Sequence, residues 1–451
     1  MVDAPPFPLR RDTIFALASG AGRAAIAVIR VSGPACAAAV AALAPKAAVA
    51  DRAATLATLR DPQSGEALDR ALVVRFVAPR SFTGEEMAEI HATGGRATVA
   101  GVFAALAKLP GLRPAEAGEF AWRAFENGKL DLAEVEGLAD LVEAETAAQR
   151  RQALDVASGA LSREAEAIRA KLVEAMAIVE AQIDFSDVED AEALSLAQAR
   201  AVAADAAGRL RAALAGAEAG ARLREGFNVV IAGPPNVGKS TLMNALARRD
   251  VSIVSAIAGT TRDLVEAPLD LRGFPVTLVD TAGIRESDDP LEREGVARAR
   301  KRAERADLTL WLSDGGDEAP SPPASGRPTL VVLTKADLRP PPAAAAPAPG
   351  APLSVSALTG AGIDRLLDAV ADLAEERMSG PAPGLIARER QRAAFADALA
   401  ALERALDPSA LELELVAEDL RLAARAMERV VGRIDVEDVL GDIFSRLCVG
   451  K

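Results

Sequence analysis

The stretch GPPNVGKST (233–241) carries glycines, a lysine and hydroxyl side chains at the spacing of a phosphate-binding loop. The pattern G-x-x-x-x-G-K-[ST] follows a strand-like run and precedes helical sequence, which is the context that this motif requires. Backbone N–H groups around Gly238 are expected to bind phosphate oxygens at the start of the helix. Lys239 is expected to reach the β- and γ-phosphates, and Ser240 to place its hydroxyl on Mg²⁺.

Two later segments are expected to complete the phosphate end of this site. VTLVDTAG (276–283) is a hydrophobic run ending in Asp280 and Gly283, the D-x-x-G pattern that senses a γ-phosphate. GTTRD (259–263) lies between the two motifs and offers Thr261 as a second hydroxyl for Mg²⁺. This order is typical of a nucleotide-dependent switch domain.

A further pair of segments is expected to bind the base. LVVLTKAD (330–337) ends in Asp337, whose carboxylate can accept two hydrogen bonds that guanine donates and adenine does not. SVSAL (354–358) follows at the distance expected for a backbone N–H to guanine O6. Thr334 stands where most such GTPases have asparagine, so a hydroxyl is kept but the amide that ties this loop to the phosphate loop is lost. We expect guanine specificity to survive through Asp337, whereas the nucleotide affinity is left open.

The residue that orients the attacking water is not evident from the motifs. Ras-like proteins have a glutamine directly after D-x-x-G, and this chain has Ile284, which cannot orient water. Glu286, Glu292 and Glu294 follow it. DPLE (289–292) is also a capping box with proline at the first helical position, and spacing alone favours that role for Glu292. The two roles are compatible if the helix start moves on nucleotide binding.

Asn236 in the phosphate loop has two interpretations. Its amide can ligate a monovalent cation beside the phosphates, where the ion neutralises transition-state charge in place of an arginine. Alternatively, it only stabilises the turn of the loop. The sequence does not separate the two roles.

The elements that position these motifs form an α/β block between two helical blocks. Residues from about 11 to 125 alternate strand-like runs, such as AAIAVIRVSG (24–33) and RALVVRFV (70–77), with short helices. Helical sequence runs from about 130 to 225, strands and helices alternate to about 378, and helical sequence resumes after a Gly/Pro break. Neither helical block resembles a complete domain, so we predict that they pack together around an inserted α/β domain.

Composition excludes several classes of protein. The 451 residues carry a formal net charge of −13, which argues against coating nucleic acid with the whole surface. The basic segments ARLREG (221–226) and ARERQR (387–392) are candidate RNA contacts, although solvated helix faces are commoner. No run reaches the roughly 18 apolar residues of a membrane span, and the N-terminus lacks a signal-peptide core. Cys36 and Cys448 offer no disulfide framework or metal site and fit a reducing cytoplasm.

The motifs GPPNVGKST, AGTTRD and DTAGIRES, with the terminal CVGK, resemble the tRNA-modification GTPase family MnmE, also called TrmE. The resemblance extends through IFALASGAGRAAIAVIRVSG (14–33), SFTGEEMAEIHATGG (81–95) and RPAEAGEFAWRAFENGKLDLAEVEGLADLVEAET (113–146), and so covers nearly the whole chain. It implies a folate-binding, dimerising α/β domain, an all-α helical domain and an inserted P-loop G domain with a Ras-like doubly wound sheet. The corresponding boundaries are 1–125, 126–222 with 379–451, and 223–378.

The activity that the resemblance implies is potassium-stimulated GTP hydrolysis, with the G domains of two subunits meeting across their switch loops. Hydrolysis would be coupled to addition of a carboxymethylaminomethyl or aminomethyl group at C5 of the wobble uridine in certain tRNAs. The implied partners are a second copy of the chain, tRNA, and the flavoprotein MnmG (GidA) in a heterotetramer. The implied carbon donor is 5,10-methylenetetrahydrofolate, with 5-formyltetrahydrofolate as its analogue.

Matched motif by motif, the family also implies roles for individual residues. Glu292 would orient the catalytic water, against the capping role that spacing favours, and Ser240 and Thr261 would hold Mg²⁺. The implied potassium ligands are Asn236, Ser255, Ile257 and Thr260. The implied folate site is Arg30, Glu89, Lys129 and Lys451. The implied GTP-binding residues are Asn236, Val237, Gly238, Lys239, Ser240, Thr241, Ser255, Ala256, Ile257, Ala258, Gly259, Thr260, Thr261, Asp280, Thr281, Ala282, Gly283, Thr334, Lys335, Ala336, Asp337, Ser356, Ala357 and Leu358.

Three residues near the implied folate motifs keep open roles. Thr93 stands where the family commonly has a histidine before the Gly-Gly pair, and His91 is expected to be a packed structural residue rather than a general base. Cys448 does not fit a prenylation box, because the chain ends in lysine. A buried structural role is favoured for Cys448, while its place beside Lys451 keeps it a candidate catalytic thiol.

Two other classes share part of this pattern. A ribosome-assembly GTPase, which is a switch without modification chemistry, has the same G motifs but usually carries a basic RNA-binding module. A membrane-remodelling GTPase would need a basic amphipathic helix, which is not evident in this sequence.

Overall fold

The structure is a computed structural model that describes residues 12–184, 192–247, 266–280, 304, 306–314, 327–338, 352–380, 384–407, 412–434, 443–444, 447 and 450. The chain forms two compact units. The first consists of Met1–Ala139, Val156–Ala170 and Ala424–Lys451, and the second of Asp140–Asp155 and Lys171–Ala423. Each unit contains one six-stranded sheet.

The sheet of the first unit is mostly antiparallel. Its strands are β1 (Thr13–Leu17), β2 (Ile26–Ser32), β3 (Thr55–Arg60), β4 (Ala67–Phe76), β5 (Met87–Thr93) and β6 (Leu112–Pro114). Their order is β3-β4-β5-β2-β1-β6, and only the β1–β6 pair is parallel. The helices in this part of the chain are α1 (Cys36–Leu43), α2 (Arg96–Ala107), α3 (Glu119–Glu126) and α4 (Leu132–Glu143).

Alternation along these strands separates a core face from an open face. Ile29 and Val31 of β2 are fully buried in a cluster that also contains apolar residues of α1 and α2. The other face leaves Ile26, Leu56 and Leu72 exposed by 58%, 53% and 43%. This exposed apolar surface, defined by these three residues, is called the open face below.

Aromatic side chains join α3 to residues from the C-terminal part of the chain. The rings of Trp122 and Phe444 are 5.1 Å apart and nearly perpendicular, an arrangement that aromatic pairs favour. Gly118, at the start of α3, has φ +72°, and a Cβ there would lie 2.1 Å from the Phe444 carbonyl oxygen. Only glycine therefore permits this contact.

The sheet of the second unit has the doubly wound order of a nucleotide-binding domain. Its strands are β7 (Phe227–Ala232), β8 (Glu266–Leu271), β9 (Phe274–Asp280), β10 (Leu308–Ser313), β11 (Thr329–Leu333) and β12 (Leu353–Ser354). Their order is β12-β11-β10-β7-β9-β8, parallel except for β8. Helices α9 (Lys239–Ala247) and α10 (Ile363–Met378) contribute apolar residues to its core.

The remaining helices include the long, alanine-rich segments that the sequence predicts. They are α5 (Ala147–Ala157), α6 (Ala160–Asp184), α7 (Glu192–Ala215), α8 (Ala217–Glu225), α11 (Glu389–Ala405) and α12 (Leu413–Val431). Helices α7 and α11 pack together, with an Arg211–Glu403 ion pair of 2.7 Å beside the contact. Among the described residues, no helix is both long and apolar enough to cross a bilayer.

The predicted fold class is confirmed. The strands predicted at 24–33, 70–77 and 227–233 are present as β2, β4 and β7. The domain boundaries predicted after residues 125, 222 and 378 stay predictions.

Candidate functional site

The phosphate loop joins the end of β7 to the start of α9. Its path depends on left-handed backbone conformations, with φ +149° at Gly233, +60° at Asn236 and +103° at Gly238. A Cβ at Gly233 would lie 2.6 Å from the Leu312 carbonyl oxygen, so β10 leaves room only for glycine. Asparagine is among the few non-glycine residues that tolerate this region.

Lys239, the first residue of α9, folds back over this loop. Its Nζ donates hydrogen bonds to the carbonyl oxygens of Gly233 (2.9 Å) and Pro234 (2.8 Å). These bonds hold the ammonium group across the loop at the helix N-terminus, where a bound phosphate would meet both the charge and free backbone N–H groups. The geometry fits the predicted phosphate-binding role.

Ser240 and Asp280 meet at the phosphate end of the sheet. Asp280 is the last residue of β9 and is 2% exposed, and the Ser240 hydroxyl donates to its Oδ2 at 2.9 Å. A hydroxyl and a carboxylate oxygen at this separation are donors of the type that Mg²⁺ prefers. The residues present therefore fit a magnesium ion, with Thr261 outside the described residues.

Thr334 connects the base-binding loop to the phosphate loop without the asparagine amide. The Thr334 hydroxyl donates to the Val237 carbonyl oxygen at 2.7 Å, and its amide donates to the Ser313 carbonyl oxygen at 2.8 Å. The shorter side chain maintains the tie because this loop lies directly against the buried Val237.

Asp337 lies in the base-binding loop that follows β11. Its Oδ1 accepts a hydrogen bond of 2.5 Å from the fully buried Ser356 hydroxyl, and the Ala336 amide donates to the Val355 carbonyl oxygen at 3.1 Å. This carboxylate is exposed and oriented, as base recognition requires. Leu358, two residues after Ser356 in the chain, is 84% exposed.

Several predicted site residues lie outside the described residues. They are Ser255, Ala256, Ile257, Ala258, Gly259, Thr260, Thr261, Thr281, Ala282, Gly283, Ile284, Glu286, Glu292, Glu294, Cys448 and Lys451. Thr241 and Lys335 are described, and Lys335 has φ +59° in the base-binding loop. The roles of all these residues stay predictions.

A second cluster lies on the sheet of the first unit. Arg30 of β2 and Glu89 of β5 are direct cross-strand neighbours, and the guanidinium donates from Nη2 (3.0 Å) and Nε (3.2 Å) to Glu89 Oε1. Both side chains are 19% exposed. The Arg30 guanidinium also lies 5.2 Å from the Phe82 ring centre and 5.9 Å from that of Phe120.

The C-terminal tail reaches this cluster at Gly450. Arg30 Nη1 donates to the Gly450 carbonyl oxygen at 3.3 Å, and a Cβ at Gly450 would lie 2.3 Å from the Leu17 carbonyl oxygen. The neighbouring residue, Lys451, lies outside the described residues. Lys129 is exposed, and a Cβ at Gly84 would lie 3.2 Å from its Cγ. Arg30 and Glu89 are thus in contact, whereas no contact of Lys129 with either is recorded among the described residues.

His91 is half-buried rather than packed in the core. Its Nε2 lies 3.4 Å from Glu89 Oε2, so Glu89 contacts Arg30 and His91 through different oxygens. Thr93 is held by Asp69 of β4, which accepts from its amide (2.6 Å) and its hydroxyl (3.1 Å). This bond gives Thr93 a role within the sheet.

An ion-pair network that the sequence motifs did not indicate lies beside this cluster. Arg113 contacts Asp12 (2.7 Å) and Glu119 (2.6 Å). Arg123 contacts Asp12 (2.8 Å), Glu119 (3.1 Å) and Glu85 (3.2 Å). Glu119 is 1% exposed, so its charge depends on these partners. The local signal in the sequence was Glu119 followed four residues later by Arg123.

The network lowers the pKa values of its carboxyl groups. Burial alone raises the pKa of Glu119, but the hydrogen bond from Arg113 and the amide of Glu116, with the two arginine charges, hold this pKa below its usual range. Burial also raises the pKa of Asp12, but the hydrogen bonds and charges of Arg113 and Arg123 outweigh this effect and lower it. The network therefore favours the ionised carboxylates.

The predicted RNA-contact segments, 221–226 and 387–392, carry arginines that are paired within the protein. Asp140 Oδ1 accepts from Arg224 Nε (2.9 Å) and from Arg388 Nη2 (2.6 Å). The other pairs are Arg222–Asp307 and Arg392–Glu389. These contacts favour a structural role for both segments.

The loop after β7, Asp280 at the end of β9 and the loop after β11 define a P-loop protein of the guanine-nucleotide-binding class. A family model described as "MnmE helical domain" matches residues 132–448, and one described as "GTP-binding protein TrmE N-terminus" matches residues 13–129. The chain therefore belongs to the MnmE family of tRNA modification GTPases.

Relatives match over nearly the full length. A "tRNA modification GTPase MnmE" of Beijerinckia indica is 52% identical over 98% of this chain and 96% of its own. One of Rhodospirillum rubrum is 49% identical over 98% of this chain and 99% of its own. Among solved structures, the FeoB G-domain from Methanococcus jannaschii is 23% identical over 33% of this chain and 98% of its own, with a TM-score of 0.24. That TM-score is too low to carry an argument.

Proposed function

We propose that this protein hydrolyses GTP with potassium stimulation and, together with a flavoprotein of the MnmG type, modifies C5 of the wobble uridine in certain tRNAs. The observation that carries the proposal is the phosphate loop tied to the base-binding loop by Thr334 and to Asp280 by Ser240. The full-length similarity to tRNA modification GTPases supports the coupling to tRNA.

The phosphate end of the site is proposed to use Mg²⁺ held by Ser240 and Thr261, with Asp280 behind Ser240. When bound, the ion would neutralise charge on the β- and γ-phosphates. Ser240 and Asp280 support this assignment because their oxygens are 2.9 Å apart. Lys239 would bind the same phosphates as a point charge, since its Nζ already lies across the loop.

Glu292 is proposed to orient the attacking water. The competing role, a helix cap, is separable by substitution because glutamine can replace glutamate in a capping box. Glu292→Gln should therefore keep the fold and lower GTP hydrolysis, with Glu294→Gln as the matched control. Normal hydrolysis and normal thermal stability in Glu292→Gln would assign the residue to capping alone, because glutamine preserves the cap.

Asn236 is proposed as a potassium ligand, with Ser255, Ile257 and Thr260. Because Asn236 has φ +60°, glycine can take its backbone conformation while removing the amide. The unchanged protein should hydrolyse GTP severalfold faster in potassium than in sodium, and Asn236→Gly should keep the sodium rate and lose this stimulation. If Asn236→Gly retains the potassium response, the residue only stabilises the turn.

The folate site is proposed to form around Arg30, Glu89, Lys129 and Lys451, for 5,10-methylenetetrahydrofolate as carbon donor. Glu89 suits the amide and amine edge of a pterin, and the basic groups suit the glutamate tail. The partly exposed ring of Phe82 beside Arg30 supports a site for a flat ligand. Cys448 is kept as a candidate thiol of this site, to be tested by Cys448→Ser, which would spare GTP hydrolysis and abolish modification.

The protein is proposed to act as a cytoplasmic homodimer. The open face supports this assignment, since Ile26, Leu56 and Leu72 are exposed on one side of the sheet. Leu56→Glu should shift the protein toward monomer in analytical ultracentrifugation. If Leu56→Glu still forms a dimer, the open face is not the interface. If the protein without the substitution is a monomer, the homodimer proposal is wrong.

The central experiment is nucleoside mass spectrometry of tRNA from cells that lack the protein. Hypomodified wobble uridine is expected, with restoration by the unchanged gene and no restoration by Lys239→Ala. Normal wobble uridine in the deletion strain would contradict the modification role and favour a ribosome-assembly switch, which is then tested by ribosome profiles on sucrose gradients.

A further inference from the structure

Two chain segments that flank the nucleotide-binding sheet touch each other at glycines. The incoming connector is residues 220–226, at the end of α8, and the outgoing connector is residues 384–388, before α11. A Cβ at Gly384 would lie 2.8 Å from Gly220 Cα, and a Cβ at Gly220 would lie 2.7 Å from the Gly384 carbonyl oxygen. The backbones are therefore in direct contact, and any larger side chain would separate them.

Two side chains bind both connectors at once. Gln152 Nε2 donates to the carbonyl oxygens of Gly220 (2.9 Å) and Gly384 (2.6 Å). Asp140 Oδ1 accepts from Arg224 of the incoming connector and Arg388 of the outgoing one. The Asp140 and Arg388 side chains are each 16% exposed, so this pairing is shielded from water. Asp140, Gln152, Arg224 and Arg388 are called the connector clamp.

Helix α5, which carries Gln152, also contacts the hairpin of β8 and β9. The Ala148 amide at the start of α5 donates to the Gly273 carbonyl oxygen in the hairpin turn at 3.2 Å. Gln149, one turn before Gln152, donates from Nε2 to the Arg224 carbonyl oxygen at 3.3 Å. One short helix therefore touches the hairpin turn and both connectors.

The hairpin is well placed to respond to nucleotide. Strand β9 ends at Asp280, which contacts Ser240 at the phosphate loop. Strand β8 begins at Glu266, soon after the predicted Mg²⁺ ligand Thr261 in the chain. Because a β-hairpin moves as one paired element, a shift at either end displaces the turn that α5 contacts.

We propose that α5 and the connector clamp couple the nucleotide state of the G domain to tRNA modification, with Asp140 and Gln152 as positioning residues. The inference rests on the proposed function for its tRNA readout. Movement of the hairpin turn reaches α5 through Ala148, and α5 passes it to both connectors through Gln152. Loss of the clamp should leave the nucleotide site intact, because the described contacts of Asp140 and Gln152 are with the connectors.

The test uses two nearly isosteric variants of the full-length protein. Gln152→Glu replaces a donor by an acceptor that faces two carbonyl oxygens, and Asp140→Asn removes the charge that holds two arginines. Glu389→Gln, in an exposed Arg392–Glu389 pair, is the matched control. GTP hydrolysis, thermal unfolding and tRNA modification in a deletion strain are measured for all three.

The clamp variants are expected to hydrolyse GTP at the rate of the unchanged protein and to support at least about fivefold less modification, the lower end of typical coupling between sites. The control should match the unchanged protein in every assay. The proposal is overturned if modification stays normal, or if it falls only in proportion to hydrolysis or thermal stability. If the deletion strain itself has normal tRNA, the proposed tRNA-modification function is wrong. The coupling of α5 to the connectors is then tested by hydrogen exchange alone.

Hydrogen exchange supplies a readout that does not depend on tRNA. In the unchanged protein, residues 146–157 should exchange at different rates with GDP and with a non-hydrolysable GTP analogue. In Gln152→Glu this difference should persist in the hairpin around Gly273 and disappear at the connectors. Equal nucleotide responses at the connectors in both proteins would overturn the coupling role.

Discussion

The phosphate loop takes its shape from backbone conformation within residues 233–241, whereas the Arg30–Glu89 cluster is assembled from side chains distant in the sequence. Arg30 lies 59 positions from Glu89 and 420 positions from Gly450. The first site needs glycine and left-handed residues in a short segment, and the second needs the correct pairing of β2 with β5. A short motif can therefore predict the first site, while the second depends on the register of a sheet.

The two sites also differ in how they hold charge. Lys239 is bonded to backbone carbonyl groups and has no carboxylate partner recorded among the described residues, so its charge is available to a phosphate. Arg30 is already paired with Glu89, so a ligand must share or displace that pair. Substitutions in the phosphate loop should therefore leave the Arg30–Glu89 cluster unaffected, and substitutions in the cluster should leave GTP hydrolysis unaffected.

The largest effect is expected at the phosphate loop. Lys239→Ala removes the charge placed across the loop, and kcat for GTP hydrolysis should fall by at least about 100-fold. Steady-state phosphate release measures the effect. Lys108→Ala, which breaks a surface pair with Asp61 in the first unit, is the control and should hydrolyse normally. A Lys239→Ala protein within tenfold of the unchanged rate would contradict the assignment.

Next in size is the effect at the paired arginine. Arg30→Ala leaves Glu89 without its main partner and should weaken binding of 5-formyltetrahydrofolate by about 2 kcal/mol, roughly 30-fold in Kd. The affinity of Arg30→Lys for 5-formyltetrahydrofolate should lie between those of the unchanged protein and Arg30→Ala, because lysine keeps the charge but not the two-donor contact. Isothermal titration calorimetry measures both, and GTP hydrolysis should be unchanged. A parallel loss of hydrolysis would show that the sites are not independent.

A smaller effect is expected at the tie between the two nucleotide loops. Thr334→Val keeps the shape of the side chain and removes the hydroxyl that donates to Val237, so GDP affinity should fall by about 1 kcal/mol, roughly fivefold. Thr334→Ser keeps the hydroxyl and should bind normally. Fluorescent GDP titration distinguishes them, and equal affinity of all three proteins would mean that the tie does not support nucleotide binding.

The smallest effect is a pH dependence of the first unit. The pKa of Glu119 is lowered by its arginine partners, so its ionisation stabilises the fold above the unfolded pKa of about 4.3. This contribution is lost as the pH falls through the lower, folded pKa. Glu119→Gln should therefore flatten the decline in unfolding free energy below about pH 4.3.

The two tryptophans make this measurement specific to one unit. Trp122 lies in the aromatic core of the first unit, and Trp311 lies in β10 of the second. In a Trp311→Phe background, fluorescence follows the unfolding of the first unit alone. Identical acid profiles with and without Glu119 would exclude the network as the cause. Glu116→Gln, which changes a neighbouring acid outside the ion pairs, is the control.

The predictability of each feature follows the range of its interactions. The strand before the phosphate loop and the helix after it follow from local spacing, and the structure contains both. The phosphate-binding role of Lys239 is predicted from the same spacing. The Thr334 tie was missed because a hydroxyl reaches Val237 only where two distant loops approach closely. The network around Glu119 was missed for the same reason, since Asp12 and Arg113 meet across the parallel β1–β6 pair.

The contact between Gly220 and Gly384 has a consequence for how this protein can be taken apart. Because the two backbones touch, the chain on either side of residues 221–383 is already close enough to be rejoined by a very short peptide. The nucleotide-binding part can thus be excised, exchanged for that of another GTPase, or returned as a cassette, without stretching the helices that host it.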